Sequence, residues 1–228
     1  MAKYLYKLTD QEGYTRKGQG DQCLWGPGVR HSVKVRVKNP QLCTANVIHA
    51  YSNPLIAVIM NPRHANFKNP RLWKATGFPV VRESQLKLGC YSLTTVEEIP
   101  IPVITVDQKV RFTILVSLEV YKEADFVSWA KNWLDGTNRT ATVVHGAFVA
   151  NATYGAHAAN AAYGAHAAYA AYSAHAAFVA NATYGANTVA NAANATYAAY
   201  TAYATQGATH VKINFIKLLN KAIREEPA

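Results

Sequence analysis

A chain of 228 residues and 24.9 kDa suits one or two domains, and with half of its residues hydrophobic it can bury a core. Formal net charge is +10 although charged residues make up only 16%, well under the roughly one quarter usual in globular chains. No uninterrupted apolar run reaches the ~18 residues of a spanning helix, the start Met-Ala-Lys-Tyr-Leu-Tyr-Lys lacks the apolar stretch of a secretory signal, and an odd set of three cysteines fits a reducing compartment.

In chain order, Tyr4–Leu8 and His31–Val37 alternate as strands do, the latter with Val33, Val35 and Val37 against Ser32, Lys34 and Arg36. Asn46–Tyr51 and Leu72–Ala75 read as further strands, and Pro54–Met60 as a short apolar helix with proline in its first turn. Val80–Arg82 and Leu86–Thr95 add strands before the punctuation of Pro100 and Pro102. Thr105-Val-Asp-Gln108 is a capping box, which predicts a helix over 106–121 with Phe112, Leu115, Val116, Leu118 and Val120 on its buried side. A second helix over Glu123–Leu134 places Phe126, Trp129 and Trp133 on one face and stops at Gly136. A last helix, capped by Asn214, gathers Phe215, Ile216, Leu219 and Ile223 on one side.

Between these stands a triplet repeat. From His145 to Asn187 every third residue is large or polar, and every residue between is Ala, Gly, Val, Thr or Ser. The phase slips after Asn187 and resumes at Asn191. Such duplication weighs heavily in reading architecture. Its alanine content favours α-helix over a β-solenoid, a polyproline rod or disorder. Three residues turn 300° on a helix, so the large side chains spiral around it instead of forming one apolar face. That suits helices packed on several sides, folding back near Gly185.

Charge follows the same division. Residues 1–74 hold twelve Lys and Arg against three acids, whereas residues 140–211 hold no Asp, Glu, Lys or Arg. The basic residues interleave with Trp25, Tyr51, Phe67 and Trp73, the mixture that phosphate neutralisation and base stacking need. Arg30, Lys34, Arg36, Lys38, Arg63, Lys68, Arg71 and Lys74 are the candidate nucleic-acid contacts. Tyr154, His157, Tyr163, His166, Tyr172, His175 and Tyr184 are the candidate self-association residues of the repeat. Successive repeat histidines lie nine apart, on opposite sides of a helix, and cannot share a metal within it. Cys23, Cys43, Cys90, His31, His49 and His64 lack the short spacings of a zinc site. A Cys43–His49 nucleophile and base pair is conceivable, with two buried structural residues as the plainer reading. Trp25-Gly-Pro-Gly28 reads as a turn, being too short for a phosphate loop. No catalytic residue, metal or cofactor is expected.

The stretches Pro54–Trp73, Val110–Lys122 and Trp129–Gly136 resemble a family of functionally uncharacterised phage and bacterial proteins. In that family a small N-terminal domain precedes an Ala-rich triplet-repeat tail. The resemblance implies a phage or prophage origin and supplies no catalytic residues.

The expected fold class is α+β: a small mixed α/β head, residues 1–104, a two-helix connector, 105–138, an all-α uncharged repeat, 139–208, and a C-terminal amphipathic helix, 209–228. The expected function is a phage-type structural or protein-interaction protein, located in the host cytoplasm or the virion, whose partner is a copy of itself or a larger protein assembly and not a membrane. The alternative is a basic accessory protein that binds nucleic acid through residues 1–74.

Overall fold

The computed structural model describes residues 4–120, 122, 124–137, 196 and 213–224. The repeat, with Tyr154, His157, Tyr163, His166, Tyr172, His175, Tyr184 and the turn at Gly185, lies outside the described residues. The chain forms two compact units, residues 1–103 and 104–228. Strands and helices are both present, so the class is α+β.

The first unit is built on an antiparallel sheet. Its strands are β1 (Leu5–Thr9), β4 (Arg30–Ser32), β5 (Ile48–Ala50), β6 (Arg71–Glu83) and β7 (Lys87–Ile99). A separate ribbon pairs β2 (Tyr14–Thr15) with β3 (Cys23–Leu24), and helix α1 spans Pro54–His64 and contacts β1. The spatial order is β1-β6-β7, and the free edge of β7 takes both β4 and β5. Arg30–Ser32 pair with Thr94–Ser92, and Ile48–Ala50 pair with Cys90–Leu88.

That sharing explains why the alternation of His31–Val37 does not become a seven-residue strand. Past Tyr91 the positions on β7 belong to β5, so the chain must leave the sheet. It does so held by two bonds, Val33 N to Tyr91 O at 2.9 Å and the Tyr91 hydroxyl to Val37 O. Lys34, Val35 and Arg36 are consequently exposed. A second difference is β6. Leu72–Ala75 and Val80–Arg82 are one strand, carried past Gly77-Phe-Pro79 by register shifts on both sides of Pro79. A proline is tolerated in a strand at such irregularities, where its missing N–H breaks no ladder bond. The Trp25–Gly28 stretch is a turn, with Gly28 at φ +74° and Val29 N bonded to Gly26 O.

Helix α1 also outruns its expected end at Met60. Asn53 Oδ1 caps it, accepting from Leu55 N and Ile56 N. Pro62 stands inside the last turn. Asn61 closes the end through its side chain, donating to Phe67 O at 2.8 Å and accepting from Phe67 N at 3.2 Å. On the sheet, Leu5, Trp25, Ala50, Ala75, Leu88, Cys90 and Leu93 form one buried cluster.

The second unit holds α2 (Val106–Val120), α3 (Ala124–Leu134) and α4 (Phe215–Arg224). The capping box closes as its spacing requires, Gln108 N donating to Thr105 Oγ1 and Thr105 N to Gln108 Oε1. Helix α2 is buried on every side from Val110 to Ser117, a wider burial than one face. Thr113 and Ser117 survive there because each hydroxyl donates to the carbonyl four residues back. Arg111, also buried, donates to Leu134 O at 3.2 Å, placing its cation at the negative end of α3. Phe126, Trp129 and Trp133 are buried together on α3, and Lys217 N donates to the Asn214 side chain at the start of α4.

Gly89 is the tightest point of the sheet. A Cβ there would stand 2.6 Å from Val81 Cγ1 and 2.9 Å from Val47 Cβ. Both are branched side chains with little room to turn. Gly89→Ala is expected to cost about 1–3 kcal/mol, read as a lower urea midpoint with an unchanged denaturant slope.

A candidate anion-binding cleft

Elements of the first unit enclose a cleft of about 960 Å³. Lys7 reaches it from β1, Trp25 and His31 from the β3–β4 region, His49 from β5, His64 from the end of α1 and Lys87 from β7. Lys7 shares the inward phase of Leu5, which is why the strand carries an amine into the interior. Only 7% of Lys7 and 6% of Lys87 is accessible.

The two amines are held differently. Lys7 Nζ donates to His49 O at 2.9 Å and stands 5.3 Å from the centre of the Trp25 ring. Burial lowers its pKa to about 8, with Cys23 opposing the shift and Lys87 adding to it. Lys87 Nζ donates to Cys43 Sγ at 3.2 Å. Cys43 itself adopts φ +62°, a left-handed turn outside any strand.

The imidazoles respond to burial first and then to the charges around them. Burial, then the charges of Lys87 and Lys7, hold His49 down to about 3; burial and then Lys87 and Arg63 do the same for His64. His49 Nε2 accepts from the Cys43 amide at 2.9 Å, so that nitrogen is unprotonated and its proton sits on Nδ1. The suggested Cys43–His49 pair is thus adjacent, but through the Cys43 backbone and not through its thiol. The lone pair that a base would need is already in use. His64 stacks on Tyr51 with ring centres 5.9 Å apart and shares a 3.3 Å hydrogen bond with its hydroxyl, whose pKa burial raises. His31 donates from Nε2 to Leu24 O at 2.8 Å and meets the Trp25 ring edge-on. Among the described residues no three His, Cys, Asp or Glu side chains stand where they could hold a metal ion.

The candidate nucleic-acid residues separate by position. Arg30, Lys34, Arg36 and Lys38 are exposed along β4 and the segment after it, with Lys34 on the cleft wall and Arg36 over the Tyr91 ring at 5.6 Å. Arg63 and Lys68 are exposed near the end of α1. Arg71 and Lys74 lie on β6, where they pair with Glu98 and Glu97. The aromatic partners expected for base stacking are largely unavailable. Trp25, Tyr51 and Trp73 are buried, and Trp73 is further covered by the Arg71 guanidinium at 4.7 Å. Phe67 is half-buried, while Phe78, which the sequence reading did not single out, is 82% exposed. Lys7 and Lys87 likewise do not stand out in the sequence. For Lys7 the available signal is its phase with Leu5 in Leu5-Tyr-Lys7, whereas Lys87 is out of phase with its neighbours Leu86 and Leu88 and carries no such signal.

Comparison with protein-family models, curated proteins and solved structures finds no match to this chain.

The histidines set an acid limit on stability. Unfolded, each takes a proton near pH 6.5; folded, each resists it to about pH 3. Their contribution is complete above pH 6.5 and is lost as pH falls from there toward 3. His64→Phe, which keeps a ring against Tyr51, is expected to flatten the decline of Tm over that window by roughly 5 °C or more, measured by thermal unfolding beside the parent chain.

Proposed function

We propose that the N-terminal unit is a polyanion-binding module whose partner is nucleic acid, held through the exposed run Arg30, Lys34, Arg36 and Lys38. The observation that carries this reading is the division of charge on the unit. Arg16, Lys17, Arg71 and Lys74 each pair with an acid, Asp21, Glu12, Glu98 and Glu97 respectively. Among the described residues Arg30, Lys34, Arg36 and Lys38 make no ion pair, and they follow one another along one exposed segment. An unneutralised cationic row is what displaces counterions from a phosphate backbone. With its tryptophans buried, this unit has little to offer for stacking, so binding is electrostatic and tolerant of sequence.

Replacing all four residues with alanine is expected to lower affinity for single-stranded DNA or RNA at least tenfold. It should also flatten the plot of log K against log salt by about 3, each phosphate contact contributing roughly 0.7–0.9. Titrations at several salt concentrations measure both. An unchanged slope would remove this reading.

A second reading is favoured by the repeat. A 72-residue stretch without Asp, Glu, Lys or Arg, carrying Tyr, His and Asn on a three-residue lattice, lacks the charge that keeps protein surfaces apart. It supports a phage-type structural component of the virion or host cytoplasm, whose all-α repeat packs against copies of itself. Among the described residues no helix is long and apolar enough to cross a membrane. On this reading the full chain forms a defined oligomer or larger particle by light scattering, and Tyr154, Tyr163 and Tyr172 changed together to Ala shift it toward the monomer. A chain monomeric at every concentration would exclude it.

A further inference from the structure

The cleft carries more than the exposed basic run uses. We propose that it is a binding site for a small phosphate monoester of nucleotide size, held by Lys7 and Lys87. This inference does not depend on the nucleic-acid reading, since neither lysine belongs to the exposed row.

Two cations buried in one cleft are costly unless something opposes them. The nearby acids form no ion pair with either lysine, although Glu83 interacts electrostatically with Lys87. Asp21 pairs with Arg16. Asp10 accepts from the amides of Glu12 and Tyr14. Glu83, opposite Lys87 in the hairpin register, makes no ion pair with it. The neighbours that do face Lys7 are Cys23 from β3, Lys87 and Cys90 from β7, the His49 carbonyl from β5 and the Trp25 ring. None brings a carboxylate. The two histidines are held neutral by burial and the amines, so they can act as hydrogen-bonding groups beside an anion without adding charge.

An ammonium has three donors, and the structure assigns one on Lys7, to His49 O, and one on Lys87, to Cys43 Sγ. The remaining N–H groups are the means of holding a ligand. Lysine is a common phosphate ligand, acting as a point charge, while the arginine fork serves carboxylate and phosphate alike. The arginine that lines the cleft, Arg16, is committed to Asp21. A phosphate ester, with several oxygens that can accept from two point-charge ammoniums, suits these donors. The volume, about 960 Å³, lies within the range of roughly 300–1,000 Å³ of small-molecule sites, ample for a phosphate ester with a sugar and base.

The test is calorimetric titration of the full chain with adenosine monophosphate and, in parallel, inorganic phosphate. Saturable binding of the nucleotide is expected, with phosphate alone binding more weakly. Lys7→Met and Lys87→Met should each weaken the nucleotide about tenfold or more. Removing a buried charge should leave Tm at pH 7 unchanged or higher, which separates lost binding from lost folding. Affinity should also fall about tenfold between pH 7 and 9 as Lys7 loses its proton, well below the range in which exposed lysines titrate. A variant with Arg30, Arg36 and Lys38 changed to alanine, which spares Lys34 on the cleft wall, should bind the nucleotide within about twofold of the parent, which distinguishes failure here from failure of the polyanion reading. No binding at millimolar nucleotide, equal binding by the folded Lys7→Met chain, or an affinity flat from pH 7 to 9 would each overturn the proposal.

Discussion

Strand β7 constrains most of what the first unit does. Its thirteen residues pair with β6 along one edge and with β4 and β5 end to end along the other. Because two short strands share that edge, the chain between them, residues 33–47, has no sheet position left. It loops outward instead, carrying Lys34, Arg36 and Lys38 into solvent and bringing Cys43 back over Lys87. The basic row and one wall of the cleft are therefore products of a single pairing constraint. Gly89 sits where it does for the same reason, between Val81 of β6 and Val47 just ahead of β5.

The electrostatics follow from what the sheet buries. On the outer side of β6, Glu97 and Glu98 meet Lys74 and Arg71 across the β6–β7 register. Where Lys7 and Lys87 project inward, backbone carbonyl and sulfur are their bonded partners. An amine in that setting gives up its proton more easily, and it drives nearby imidazoles to stay neutral. Lys7, His49 and His64 thus form one coupled environment, although they come from β1, β5 and the end of α1. Perturbed groups converging on a cleft are the usual mark of a binding or reactive site. Here the Cys43 amide occupies the His49 lone pair, which favours binding over nucleophilic chemistry.

The second unit solves a different problem. Helix α2 is buried on all sides over eight residues that include Arg111, Thr113 and Ser117. Its hydroxyls donate to carbonyls one turn back, and its guanidinium donates through Nη1 to Leu134 O at the end of α3. The aromatic stripe of α3 is core, in keeping with its helical spacing.

Local chemistry was legible in the sequence. The Thr105–Gln108 capping box, the Phe126–Trp129–Trp133 stripe, the Gly136 stop and the Asn214 cap depend on residues within a few positions of one another, and the structure forms each of them. The segregation of positive charge into residues 1–74 and its absence from 140–211 are likewise properties of the chain itself. What the sequence left open depended on distant partners. Val33–Val37 alternates like a strand, yet only the claim of β5 on the same edge of β7 decides that it is not one. Leu72–Ala75 and Val80–Arg82 look like two strands because Gly77 and Pro79 are local breakers, and a long partner strand overrides them. Lys7 and the tryptophans Trp25 and Trp73 are surface-like or stacking residues by type. Their burial was decided by tertiary structure alone, because an alternating strand states which residues share a side and not which side will be covered.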